Sequence, residues 1–98
     1  MKSKIQIHKE LLDYLHELYI TKNTDYGDSV HETFEKYGLT SYLVRIEDKI
    51  NRARTITTKA ALVNDEKIED TLLDLANYAI LAAMELKIIR EENNGNQN

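Results

Sequence analysis

The amino-acid sequence predicts a small all-α domain built from four helices. The chain of 98 residues contains no proline and only three glycines, so few positions force a helix to end. Apolar residues recur every three or four positions over long stretches, which is the period of an amphipathic helix. The β-branched run at residues 55–58 is too isolated to form a sheet. Because a chain of this length seldom divides into two units that each bury a core, we predict a single domain.

The first two helices are separated by a segment rich in turn-forming residues. The first helix is predicted over about residues 5–22, where leucine and isoleucine recur at helical spacing. It is expected to end in the segment 22–28, which contains asparagine, aspartate and glycine. The second helix is predicted over about residues 29–37, and Gly38 is its expected end, since glycine adopts the left-handed conformation that follows many helices.

The third helix is predicted over about residues 40–55, with Thr40 or Ser41 as its N-terminal cap. The following polar stretch, up to Asn64, is interpreted as a linker. The apolar stripe that should face the core consists of Leu43, Ile46, Ile50 and Ala53.

The fourth helix is predicted over about residues 65–91, capped by Asn64 or Asp65. At about 1.5 Å per residue it would be roughly 40 Å long, and residues 79–84 are apolar on nearly every side. One small domain cannot easily cover such a helix, so we expect a homodimer or a larger homo-oligomer. The helical domain should therefore span residues 1–92, followed by a disordered polar tail at 93–98.

Composition excludes several classes of protein. The absence of cysteine excludes disulfides, thiolate nucleophiles and cysteine-ligated metal sites. No apolar run approaches the ~20 residues of a membrane span, and the N-terminus lacks the continuous apolar block of a secretory signal. We therefore expect a soluble, cytoplasmic protein that does not associate with membranes.

The net charge of −4 hides an uneven distribution. Residues 41–59 contain five basic and two acidic residues, whereas residues 65–98 contain three basic and eight acidic ones. A net negative domain is a poor candidate for non-specific binding to duplex DNA or RNA. If the basic and acidic segments pack together, the interface suits a phosphate ester with its metal ion. The alternative is that they form exposed ion pairs without a ligand.

A basic stripe lies on the third helix. Arg45, Asp48, Lys49 and Arg52 are spaced i, i+3, i+4 and i+7, which places all four on one face. Guanidinium groups form forked hydrogen bonds to phosphate and an ammonium group adds a point charge, so this face can hold an oxyanion.

An acidic stripe lies on the fourth helix, where Glu66, Asp70, Asp74 and Asn77 fall within about 80° of one another at ~100° per residue. Carboxylates stacked in this way repel one another unless a cation lies between them, and ligand sets made only of oxygen suit Mg²⁺. The alternative is a network of salt bridges between the two helices, for instance Arg45 or Arg52 with Asp70 or Asp74.

Other polar and aromatic residues give weaker indications. His8 and His16 are expected at the surface, and the i, i+4 pair of His31 and Glu35 favours a structural role. Tyr26, in the predicted turn, would either cover a nucleobase or close the first helix pair. The other tyrosines are expected in the core or at an interface: Tyr14, Tyr19, Tyr37, Tyr42 and Tyr78.

Four motifs, in order along residues 22–89, resemble a known family. They are Lys22–Ser29 (KNTDYGDS), Phe34 with Tyr37–Leu39, Arg45–Lys49 with Arg52, and Glu69–Tyr78 (EDTLLDLANY). Together they resemble nucleotide modification associated domain, type 1, a family of small phage and bacterial proteins. That family is in turn distantly similar to the MazG-like and dimeric dUTPase-type pyrophosphatases, helical dimers or tetramers that use Mg²⁺ to split a nucleoside triphosphate.

The resemblance implies a MazG-like nucleotide-binding protein of nucleotide metabolism or DNA base modification, and it implies a possible Mg²⁺-dependent pyrophosphohydrolase. In that version Asp48, Asp70 and Asp74 would be the catalytic metal ligands. The residues that would bind a nucleotide or modified nucleotide are Tyr26, Arg45, Lys49, Arg52 and Asn77. The Glu-x-x-Glu pair of the pyrophosphatases is absent, because Ile50 stands three residues after Glu47. This absence favours the alternative, a non-catalytic helical module that binds a nucleotide-modifying enzyme.

Overall fold

The computed structural model describes residues 1–26, 28–59 and 65–96, with all side chains except those of residues 24–26, 59, 65–67 and 96. These residues form four helices and no strand, which confirms the predicted all-α class. The helices are α1 (Lys4–Tyr26), α2 (Ser29–Tyr37), α3 (Thr40–Lys59) and α4 (Asp65–Asn96). None of the helices in this part of the chain combines the length and apolarity needed to cross a membrane.

The chain forms two compact units, Met1–Val30 and His31–Asn98. The first unit contains α1, and the second contains most of α2 together with α3 and α4. The candidate site described below lies within the second unit. A single domain over residues 1–92 stays a prediction.

Helix α1 begins with a reciprocal pair of capping hydrogen bonds. The Ser3 hydroxyl accepts from the Gln6 amide at 3.2 Å, and the Gln6 side chain accepts from the Ser3 amide at 2.8 Å. Leu15 is buried, whereas His8 and His16 are exposed as predicted. The predicted end at residue 22 is wrong, because the helix continues to Tyr26. No proline or glycine occurs between residues 22 and 26, so nothing in the sequence forces an earlier end.

A bend at Gly38 joins α2 to α3, as the sequence predicts. Gly38 has a φ of +70°, and its amide donates to the Phe34 carbonyl at 2.7 Å, which closes the last turn of α2. The side chain of Ser41 does not cap α3 in the way that the sequence predicts. The Ser41 hydroxyl donates to the Gly38 carbonyl at 2.9 Å instead of accepting from an amide of α3.

Replacing Gly38 with alanine should lower the free energy of unfolding by about 1 kcal/mol, since a Cβ disfavours this positive φ. The cost comes from the backbone alone, because a Cβ built at Gly38 meets no atom within 4 Å. Urea denaturation measures the change. Gly95→Ala is the matched control: Gly95 lies within α4 and a Cβ there is equally unobstructed, so stability should stay constant or rise. Equal losses in both variants would contradict this account.

Helix α3 is longer than predicted, ending at Lys59 instead of about residue 55. Threonine hydroxyls near this end donate to backbone carbonyls of the same helix, which satisfies their hydrogen-bonding capacity locally. Thr55 donates to Asn51 at 3.0 Å, and Thr57 donates to Ala53 at 2.7 Å. The rest of the predicted linker, residues 60–64, lies outside the described residues.

Helix α4 continues to Asn96, beyond its predicted end at about residue 91. Disorder of the tail at 93–98 stays a prediction. Residues 91–96 contain no proline, and extending an existing helix costs far less than starting one. Asn64, the side chain of Asp65 and the last two residues of the predicted tail lie outside the described part of the chain, so the predicted cap of α4 stays a prediction.

Helices α3 and α4 pack along one another and form the core of the second unit. Tyr42 is 2% exposed, and Thr71 and Ala82 are also buried. Of the predicted stripe on α3, Ile46, Ile50 and Ala53 are half-buried, but Leu43 is 52% exposed. Its assignment to the core is wrong for the described part of the chain, where none of the helices covers it.

Candidate functional site

The predicted basic and acidic stripes meet along one edge of the α3–α4 contact. The Nζ atom of Lys49 lies 3.5 Å from Oδ2 of Asp74. One turn away, the guanidinium carbon of Arg45 lies 5.8 Å from the centre of the Tyr78 ring. The two helices thus place two cations of α3 against a carboxylate and an aromatic ring of α4. We call the residues Arg45, Lys49 and Arg52 the basic edge.

The Lys49–Asp74 pair leaves both side chains partly available to a ligand. Their side chains are 28% and 38% exposed. The 3.5 Å separation is that of an ion pair without a close hydrogen bond. Such partly exposed pairs contribute no more than about 1 kcal/mol, so a phosphate oxygen could replace Asp74 as the partner of Lys49 at little cost.

The Tyr78 ring positions Arg45 without neutralising it. A guanidinium group that lies over an aromatic face gains a cation–π interaction, while its N–H groups still point outward in its own plane. Among the described side chains, no carboxylate forms an ion pair with Arg45. The ring therefore orients a cation whose hydrogen-bonding capacity toward an anion remains.

The structure does not bring the other predicted site residues into this contact. Asp48, Arg52 and Asp70 are exposed, and Asn77 is half-buried one turn after Asp74. The predicted Arg–Asp bridges between the helices do not form among the described residues, where Lys49 is the cation that reaches Asp74. The side chains of Tyr26 and Glu66 lie outside the described part of the chain.

The described side chains do not fit a magnesium centre of three carboxylates. Within them, no group of three or more histidine, aspartate and glutamate side chains lies close enough to hold a metal ion. Asp74 faces an ammonium group, whereas Asp48 and Asp70 extend into solvent. A metal role for these three aspartates stays a prediction.

A second polar cluster lies around Glu85, a residue that helical spacing alone does not single out. Glu85 is only 7% exposed, on an otherwise apolar part of α4. The Tyr42 hydroxyl donates to its Oε2 at 3.1 Å. Nδ1 of His31 lies 2.9 Å from one carboxylate oxygen and 2.7 Å from the other. One buried carboxylate therefore holds a side chain from α2 and another from α3.

His31 bridges this buried carboxylate to the surface. Its Nε2 lies 2.6 Å from Glu35, so the predicted i, i+4 pair is confirmed. Since both ring nitrogens face carboxylates, the imidazolium form lets each nitrogen donate a hydrogen bond. The Phe34 ring lies beside His31 and Tyr42, with centroid distances of 6.3 Å and 5.8 Å.

The Glu85 cluster is built to hold helices together. Its polar groups are paired with one another, and no buried side-chain polar atom in the described residues lacks a partner. The sequence feature that indicates this cluster is Glu85 itself, a single acidic residue directly after the apolar run 79–84. An acid at such a position needs a buried donor.

No curated protein and no solved structure matches the chain significantly. The further similarity to MazG-like pyrophosphatases consequently stays a prediction. The family resemblance itself is confirmed, because residues 22–86, about two thirds of the chain, match the model of one family. This match includes the basic edge, Asp74 and Tyr78, and the chain belongs to the family described as nucleotide modification associated domain 1.

Proposed function

We propose that the basic edge binds the phosphate groups of a nucleotide or a modified nucleotide. The observation that carries this proposal is the placement of Arg45 and Lys49 side by side, each held by a group on α4 that does not consume its hydrogen bonds. Arg52 extends the same stripe by one further turn. The family to which the chain belongs is associated with nucleotide modification, which supports a nucleotide as the anion.

The geometry suits recognition of a phosphate chain. Arg45 can form a forked pair of hydrogen bonds to one phosphate, and Lys49 adds a compact charge to the next. Asn77 lies one turn beyond Asp74, and its amide could donate to a phosphate or sugar oxygen. Asp74 would be displaced from Lys49, or repelled, when the phosphate arrives.

Of the two forms of the proposed function, the described residues support nucleotide binding without hydrolysis better than pyrophosphohydrolysis. Pyrophosphohydrolysis would require water to attack the α-phosphorus and pyrophosphate to leave, with cations to stabilise the developing charge. The three predicted metal ligands do not converge in the structure, and this favours a non-catalytic role. The second candidate is therefore a helical module that acts by binding a nucleotide-modifying enzyme.

Single alanine substitutions of Arg45, Lys49 and Arg52 should each weaken nucleotide binding about tenfold, the equivalent of one partly exposed charged hydrogen bond at about 1.4 kcal/mol. Calorimetric titration with canonical and modified deoxynucleoside triphosphates, with and without Mg²⁺, measures the effect. Lys36→Ala, on the exposed side of α2, is the control and should bind as the parent does. If no nucleotide binds to the parent protein, the proposal is wrong; if the three variants bind like the parent, the residue assignment is wrong.

Asp74→Asn separates the binding role from the metal role. If Asp74 only competes with phosphate for Lys49, the substitution removes a repulsive charge and should tighten binding severalfold in the absence of Mg²⁺. If Asp74 instead holds Mg²⁺, the substitution should abolish Mg²⁺-dependent release of pyrophosphate, which is measured in the same samples. Mg²⁺-dependent turnover in the parent protein would overturn the non-catalytic version.

A further inference from the structure

The edge of the α3–α4 pair opposite the basic edge is apolar and open. Within the described residues of the second unit, few apolar side chains are buried, whereas Leu43 and Leu72 are each 52% exposed. Between α3 and α4 on this side runs an open groove of about 380 Å³. It is lined by Ile50, Ala53, Arg54, Thr57, Thr58, Leu72 and Leu75. An apolar surface of this kind marks an interaction site.

The groove and the basic edge face different directions. At about 100° per residue, the groove residues of α3 lie roughly 130° around the helix from Arg45, Lys49 and Arg52. A partner that fills the groove therefore leaves the basic edge accessible.

The residues that α3 presents on this side repeat every seven positions. Leu43, Ile50 and Thr57 are spaced i, i+7 and i+14, which gives a narrow stripe along about 21 Å of helix. Glu47 and Arg54 lie beside the stripe with the same spacing and opposite charge. Neither forms an ion pair with another described side chain, and both are exposed.

The apolar stripe and the two charges beside it are self-complementary when two copies of α3 run in opposite directions. If two copies of α3 lie antiparallel with Ile50 at the centre, Ile50 meets its own counterpart and Leu43 lies opposite Thr57. In the same register Glu47 lies one residue, about 1.5 Å along the axis, from the level of Arg54 of the partner subunit. Both side chains are long enough to span this offset, and the symmetry axis produces the pair twice. A parallel arrangement would instead place like charges together, which is unfavourable.

We propose that a second copy of this chain packs against the groove edge, with the two α3 helices antiparallel about a twofold axis at Ile50. The contact is closed, because the same surface of each copy is buried. The exposed leucines beside the groove supply its apolar area, and the paired charges set its direction and register. This charge complementarity favours a second copy as the occupant of the surface.

Charge exchange tests the proposed register. Glu47→Arg alone and Arg54→Glu alone each create two like-charge pairs, so the dissociation constant of the dimer should rise roughly tenfold to a hundredfold. Combining both substitutions exchanges the charges and should restore dimerisation to within about threefold of the parent. Analytical ultracentrifugation over a concentration series provides the constants. Lys36→Glu and Glu32→Arg, at exposed positions of α2, are charge-matched controls and should dimerise normally.

Cross-linking gives a second measurement that does not depend on affinity. The natural chain has no cysteine, so Ile50→Cys introduces a single thiol next to the proposed axis. Oxidation should convert most of this variant into a covalent dimer, whereas Lys36→Cys should remain largely monomeric on a non-reducing gel. A parent protein that is monomeric at all concentrations would overturn the proposal. So would a double charge exchange that fails to restore the dimer. Neither result depends on whether the basic edge binds a nucleotide.

Discussion

Replacing Glu85 with leucine is expected to lower the free energy of unfolding by roughly 3 kcal/mol, although leucine is the more apolar side chain. The loss arises because the partners of Glu85 remain in place. Tyr42 is 2% exposed, so its hydroxyl would stay buried without an acceptor. His31 would lose the carboxylate that both orients its ring and ties α2 to α4.

Urea denaturation, followed by circular dichroism, tests this expectation. Glu85→Gln retains the shape and one acceptor oxygen but not the charge, so it should cost less than Glu85→Leu. Glu92→Leu is the surface control, since Glu92 is exposed on the same helix, and it should change stability by less than about 0.5 kcal/mol. If Glu85→Leu proved as stable as the parent, the cluster would not hold the helices together.

The placement of the helices and the end of α2 could be predicted from the sequence, but the C-terminal ends of α1, α3 and α4 could not. Gly38 marks the end of α2 because its backbone adopts a positive φ, a property of the residue type itself. The predicted ends of α1 and α4, at about residues 22 and 91, lack such a residue, and each helix continues beyond the predicted position by four or five residues. Turn-forming side chains such as asparagine lower helix propensity only slightly, and an established helix can absorb that cost.

The core was predicted less well than the helices. Spacing along α3 identifies an apolar stripe but not which part of it a neighbour covers, and so Leu43 was wrongly placed in the core. Tyr42 was correctly placed there or at an interface, whereas Tyr37 is 69% exposed. The exposure of Leu43 is one of the observations on which the proposed second copy rests.

The basic edge could be predicted because its members are neighbours on one helix. The pairing of Lys49 with Asp74 follows from two stripes that each have helical spacing, once the helices are taken as packed together. The Glu85 cluster could not be predicted in this way. Its carboxylate meets His31 and Tyr42, which lie 54 and 43 residues away in the sequence. Local spacing carries no information on such contacts.

Replacing Tyr42 with alanine is expected to cost about 3–5 kcal/mol, because it removes the most deeply buried aromatic ring of the described chain. A small domain has only about 5–15 kcal/mol of stability, so this variant could lose much of its fold. Tyr42→Phe keeps the ring beside Phe34 and removes only the hydroxyl, for an expected cost of about 1–2 kcal/mol. Combining Tyr42→Phe with Glu85→Leu should then cost less than the sum of the two single changes, because neither residue leaves the other unpaired. Thermal and urea unfolding of the three variants measure this coupling, and strictly additive losses would show that Tyr42 and Glu85 do not depend on each other.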